Sequence, residues 1–295
     1  MTTYKSYLEK ENYTKSTVKS YENGIEIFIK WCKRNHTNPE LIDYKTILKY
    51  IKYLQRKSNT KKTVKHQIGI VKNYFKYLLS ENYRVDNPIE NINIKGVKRI
   101  INYNLLEADE LEDLYYSFET DKYQEEYHKY TSKRNKVIVG LMVYQGLNTT
   151  ELIHLELEDL QLYKGKIYIK SGARSNNRTL ELKSWQVIEL LEYVKEIREE
   201  IKVRKNVESE RLFIPNNARL GITIYHILKK LKKINNKVTN ANQLRASVIT
   251  NWLKQYNLRQ VQVLAGHRYI SSTERYLEDD LESLHEIVNN FHPIN

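Results

Sequence analysis

Three residues in the last fifth of the chain have the types and spacing for chemistry on a phosphodiester. Arg245 closes the run Asn242-Gln243-Leu244-Arg245, and His267 completes the turn Leu264-Ala265-Gly266-His267. Tyr276 comes nine residues after His267, past Ser271-Ser272-Thr273, a start suited to a short helix. A guanidinium fork can give two parallel hydrogen bonds to the non-bridging oxygens of a phosphate. An imidazole can donate a further one, and a tyrosine oxygen can act as nucleophile. A tyrosine alone signals little, because the chain holds 24 of them and most tyrosines pack with a polar tip. The context has to carry the assignment.

That context resembles the C-terminal end of the tyrosine recombinases, the family of phage integrases and Xer-type proteins. The resemblance implies that Tyr276 attacks DNA phosphorus, that Arg245 is the arginine of a His-x-x-Arg motif, and that His267 donates to the phosphate. Upstream, Gly146-Leu147-Asn148-Thr149-Thr150-Glu151-Leu152 resembles the family's Gly-Leu-Arg-x-x-Glu-Leu, whose arginine is the first of two holding the scissile phosphate. Asn148 stands in that arginine's place, and Asn242 stands where the second motif has histidine. The runs Lys166 to Lys170 and Arg178 to Leu182 resemble the family's β-hairpin, whose turn carries a lysine nine residues before the closing leucine. Counting back from Leu182 reaches Ala173.

Two readings of these departures compete. In the first, Arg174, Lys170 or Arg178 takes over the missing charge, while the amides of Asn148 and Asn242 donate uncharged hydrogen bonds. In the second, the site has decayed and the chain is a DNA-binding accessory or regulatory protein. The stakes are large, since losing one fixed donor to a transition state costs roughly a hundred- to a thousand-fold in rate. The family implies strand exchange through a 3′-phosphotyrosyl bond with neither metal nor cofactor, on double-stranded DNA, by a homo-oligomer that is a tetramer in the synapse. A mobile element is the expected setting.

Charge points to the same partner. The net charge is +13, and residues 1 to 100 contribute +12 of it. From Lys45 to Ser80 there are ten lysines and arginines and no acid. Such a field attracts a polyanion and makes binding fall steeply with salt. The single cysteine, Cys32, rules out an internal disulfide framework and a Cys-rich metal site. Neither a signal-peptide pattern nor an apolar run near the ~20 residues needed to span a bilayer is present, so no membrane role and a cytoplasmic location are expected.

Periodicity gives the scaffold as mainly α, with an N-terminal helical bundle and an α-rich second domain holding one small antiparallel sheet. The resemblance makes the bundle a SAM-like core-binding domain over 1–82 and the second a catalytic domain over 105–295, with 83–104 as a linker. In the bundle, Val18, Tyr21, Ile25, Phe28 and Trp31 recur every three or four residues on one helix. A second helix from Asp43 to Lys57 sets Ile47, Ile51 and Leu54 apart from the stripe Lys45, Lys49, Lys52 and Arg56. A third, from about Thr60 to Ser80, keeps Lys61, Lys65, Lys72 and Lys76 off its apolar stripe. These eight cations are the expected contacts to duplex backbone. Leu281, Leu284 and Val288 predict a terminal helix that either closes its own core or docks on a neighbouring protomer.

Overall fold

The computed structural model describes residues 3–57, 59–96, 104–120, 124–172, 175–215 and 219–277. The chain divides into two compact units, Met1–Arg99 and Ile100–Asn295.

The first unit is built from helices α1 (Tyr4–Lys10), α2 (Lys15–Arg34), α3 (Tyr44–Arg56) and α4 (Lys61–Ser80). Each starts at a residue whose side-chain oxygen accepts from a free backbone N–H of the first turn: Thr3, Thr14, Asp43 and Thr60. The apolar stripes meet in a core where the Phe28 ring lies 5.0 Å from Tyr50 and 6.1 Å from Phe75. Helices α2 and α4 approach closely at Gly24, where an added Cβ would sit 2.4 Å from Ile70 Cδ1. The buried Gln67 amide uses that gap, donating to Gly24 O at 2.6 Å and to the Tyr50 hydroxyl at 3.0 Å. Part of the expected linker belongs to this unit. Ile89 is fully buried in its core, Ile92 and Ile94 pack against that core, and Arg84 donates to the carbonyls of Glu40 and Ile42. The apolar Ile89-x-x-Ile92-x-Ile94 pattern ties the first part of that stretch to this core.

The second unit opens on α5 (Ala108–Tyr116) and α6 (Glu126–Val143), whose run Val137–Val143 is buried throughout. Removing one of those side chains would cost about 2–5 kcal/mol. Gly146, at φ 60°, turns the chain out of α6, and the short helix α7 (Thr149–His154) follows. A three-stranded antiparallel sheet comes next: β1 (Leu160–Gln161), β2 (Lys166–Ile169) and β3 (Arg178–Glu181), in that order. The expected hairpin is thus present with Ile169 opposite Arg178, each strand one residue shorter than expected, and β1 added at its edge. Helices α8 (Ser184–Glu192) and α9 (Arg198–Lys205) run into one another through a wider π-type turn at Tyr193–Ile197. Then come α10 (Leu220–Ile234), α11 (Ala241–Leu253), α12 (Leu258–Ala265) and a last helical stretch at 271–277. The expected terminal helix from Leu281 to Val288 lies outside the described residues.

Helix α11 is the axle of this unit. It is buried on nearly every side, and Asn242 and Arg245, three residues apart, emerge on the face that remains. Its Ser247 hydroxyl accepts from Leu106 N and its Asn251 amide donates to Leu106 O, so the start of the unit is tied to the helix that carries the site. Among the described residues, no helix is long and apolar enough to cross a membrane.

Candidate active site

The site begins with backbone geometry. Asn148 caps α7: its side-chain oxygen accepts from Glu151 N at 2.9 Å, and the Glu151 carboxylate accepts from Asn148 N at 3.0 Å. This reciprocal capping box follows from the Asn-x-x-Glu spacing alone. At the far side, α12 ends on Gly266 in the left-handed conformation, φ 68°, which lets the next residue, His267, fold back so that its N–H donates to Gln262 O. The hairpin is pinned to the same turn, since Asn176 N donates to Gly266 O at 2.9 Å and Ser175 pairs with His267.

Between these anchors lies a cleft of about 570 Å³ lined by Asn148, Thr149, Thr150, Asn242, Arg245, Ala246 and Tyr276. Arg245 crosses its floor. One terminal nitrogen donates to Gly146 O at 2.7 Å and to Glu151 Oε2 at 3.0 Å, and the other donates to Ala265 O. Those contacts occupy three of a guanidinium's five N–H groups, and one on Nε and one on Nη2 make no hydrogen bond to the described residues. Burial draws the Arg245 pKa down while the Glu151 charge opposes this, and a guanidinium stays protonated under either influence.

Glu151 holds a second arginine as well. Arg178 Nη1 donates to Glu151 Oε1 at 2.8 Å, with only 1% of the Arg178 side chain exposed. Burial opposes ionisation of Glu151, but the hydrogen bond from Arg178 and the charges of Arg245 and Arg178 outweigh it and hold the carboxyl below its usual range. His267 Nδ1 lies 2.9 Å from the buried Thr273 hydroxyl, and its ring stacks on that of Tyr276, with centroids 5.9 Å apart and planes 12° from parallel. The Tyr276 ring also packs on Ile249, Val261 and Ala265. Burial first, then the charges of Arg245, Arg275 and Arg178, pull the His267 pKa down to about 4. The imidazole is therefore neutral at pH 7, and in the tautomer where the Thr273 hydroxyl donates to Nδ1 the ring proton sits on Nε2.

That shift carries a stability expectation. The unfolded chain protonates His267 near 6.5 and the folded one only near 4, so the unfolded state binds more protons between these values. The contribution is fully present above pH 6.5 and is lost as the pH falls towards 4. Urea melts should show the wild type losing more stability across this window than His267→Gln does. Equal acid-side slopes would mean that the imidazole is not held neutral by its surroundings.

The remaining expected residues divide. Lys170, at the end of β2, is held by Glu156, by Glu158 at 2.6 Å and by Asp159 at 3.7 Å, away from the residues that line the cleft. Donating hydrogen bonds to those two glutamates raises its pKa. Arg174 and Ala173 lie outside the described residues. On the first unit, Lys45, Lys49, Lys52, Arg56, Lys61, Lys65 and Lys76 are exposed as expected. Lys72 is half-buried, donating to the Glu90 carbonyl and pairing with its carboxylate at 3.3 Å. The anchors that sequence reasoning left without a role are Glu151 and Thr273. The capping-box spacing marks Glu151 as structured, but nothing local marks it as the counter-ion of two distant arginines.

The family model for the phage integrase family matches residues 104–282, and that for its N-terminal SAM-like domain matches residues 1–84. The chain is 27% identical to tyrosine recombinase XerC of Thermodesulfovibrio yellowstonii over 285 residues, covering 94% of this chain and 90% of that one. Its fold is similar to that of XerH recombinase bound to a palindromic difH substrate after cleavage, with TM-score 0.70, 20% identity and coverage of 96% and 84%. It is also similar to lambda integrase in a tetramer bound to a Holliday junction, with TM-score 0.64, 14% identity and coverage of 92% and 74%.

Proposed function

This chain belongs to the phage integrase family, and we propose that it is an active site-specific recombinase that cuts and rejoins duplex DNA through Tyr276. The observation that carries the reading is the convergence of Tyr276 and Arg245 on one cleft, with the neutral His267 stacked on the tyrosine. In the forward step the Tyr276 oxygen bonds to phosphorus and the bond to the 5′-oxygen breaks. The tyrosine gives up a proton and the leaving oxygen takes one, so the step is proton-neutral. Arg245 offers its two unspent N–H groups to the non-bridging oxygens, and His267 offers Nε2–H. The phosphodiester energy is kept in the phosphotyrosyl bond, and a 5′-hydroxyl from a second strand reverses the step.

The same reading makes the first unit the duplex-gripping part, through the stripes on α3 and α4, and makes the working form a homotetramer serving a mobile element. Replacing Lys49, Lys52 and Lys65 with glutamate should weaken duplex binding at least about tenfold and flatten the plot of log affinity against log salt by roughly three units. An unchanged slope with the fold intact would remove these helices from the interface.

The function itself is tested with a nicked DNA substrate carrying the protein's own site, from which the 5′-fragment diffuses away after attack. A protein–DNA adduct that survives denaturant is the expected product. Tight, specific binding without any adduct would instead make the chain a DNA-binding accessory protein, the reading that the uncharged Asn148 favours.

A further inference from the structure

Position 148 leaves the phosphate cleft one cation short, and Asn148 cannot make up the deficit: its amide is uncharged and its oxygen is spent on the Glu151 N–H. The carboxylate of Glu151 deepens the problem, because a buried carboxylate paired with Arg245 alone would cancel the charge that a phosphate needs to meet. We propose that Arg178, reaching in from β3, neutralises Glu151 and so frees the positive charge of Arg245 for the phosphate, replacing electrostatically the arginine missing at position 148. The inference rests on the strand-exchange reading above.

Several observations support it. The two oxygens of Glu151 are divided between the arginines, Oε1 to Arg178 and Oε2 to Arg245, so the three groups together carry one net positive charge. Their side chains are 1%, 7% and 12% exposed for Arg178, Glu151 and Arg245, an environment where charges are weakly screened. Arg178 Nε and Nη2 have no hydrogen-bond partner among the described residues. A buried cation with unspent donors is destabilising, so packing alone does not account for an arginine here.

The surroundings are also shaped to hold it. A Cβ on residue 266 would come 2.6 Å from Arg178 Nη1, so Gly266 leaves room for the guanidinium directly beneath the turn that carries His267. Arg178 does not line the cleft, and it therefore acts through Glu151 as a positioning residue. Lys170, the other described candidate, already has its charge met by three carboxylates.

The test is the rate of adduct formation on the nicked substrate, measured per bound and folded protein. Arg178→Gln takes the cluster from one net positive charge to none, and the rate should fall roughly a hundredfold or more while duplex binding changes little. Arg178→Lys should keep most of the rate. Adding Glu151→Gln to Arg178→Gln restores the net charge and avoids an unpaired buried carboxylate, so it should recover at least about tenfold. Adding Asn148→Arg to Arg178→Gln should recover rate in the same sense. Full activity in Arg178→Gln would overturn the proposal. So would a slow, folded Arg178→Gln that neither Glu151→Gln nor Asn148→Arg improves, since that pattern belongs to a purely structural arginine. Should Arg178→Gln fail to fold, the Glu151→Gln/Arg178→Gln protein still decides, because cleavage within about tenfold of wild type supports the charge argument and a folded enzyme slower than that refutes it. No adduct in the wild type would instead sink the strand-exchange reading.

Discussion

Tyr276→Phe should abolish the denaturant-resistant adduct altogether while leaving duplex binding within about twofold of wild type. The substitution removes one oxygen and no ring. The ring of Tyr276 stacks on His267, and the residue packs against the cluster of Ile249, Val261 and Ala265, so phenylalanine keeps the apolar body that places the last helical stretch. Without the phenolic oxygen the attack on phosphorus has no nucleophile, and the loss is all-or-none rather than graded. Binding, by contrast, is dominated by charge on backbone phosphates, and this variant changes no charge. An adduct that persists in Tyr276→Phe would move the nucleophile elsewhere. Tyr269, which is 68% exposed and two residues beyond His267, is then the first residue to examine.

Arg245→Ala should slow adduct formation by roughly a thousandfold, with a smaller loss of stability. Two separate losses are involved. The first is catalytic, because the fork offered to the non-bridging oxygens vanishes, and a preorganised donor of this kind is worth about a hundred- to a thousand-fold even without its charge. The second is structural. Arg245 joins the Gly146 turn to the Ala265 carbonyl at the end of α12, so its removal frees two carbonyls and leaves Glu151 with Arg178 and the Asn148 N–H. Those hydrogen bonds are worth about 1–3 kcal/mol together. Arg245→Lys separates the two, since a lysine keeps the charge but not the planar fork. Adduct formation should remain at least about tenfold below wild type in Arg245→Lys. Recovery to the wild-type rate would mean that charge, and not geometry, is what Arg245 provides.

Much of this protein was legible from local pattern. Helix periodicity, capping residues and the acid-free run from Lys45 to Ser80 are properties of neighbours in the chain, and they yielded the helical scaffold and its cationic stripes. The same holds for the Gly-His turn, which is read at a spacing of a few residues. What the chain could not disclose by itself was the choice of ionic partner. Three candidate cations flanked the hairpin turn, equivalent in type and nearly equivalent in position. Folding separates two of them: Lys170 meets Glu156, Glu158 and Asp159, whereas Arg178, eight residues on, meets Glu151 beneath Gly266. Lys72 likewise parts from its fellow lysines because Glu90, eighteen residues away, comes back over α4. Coulomb attraction and desolvation depend on distance and burial in three dimensions. Arg178 and Arg245 lie 27 and 94 residues from the carboxylate they share, so only the tertiary structure could decide that they share it.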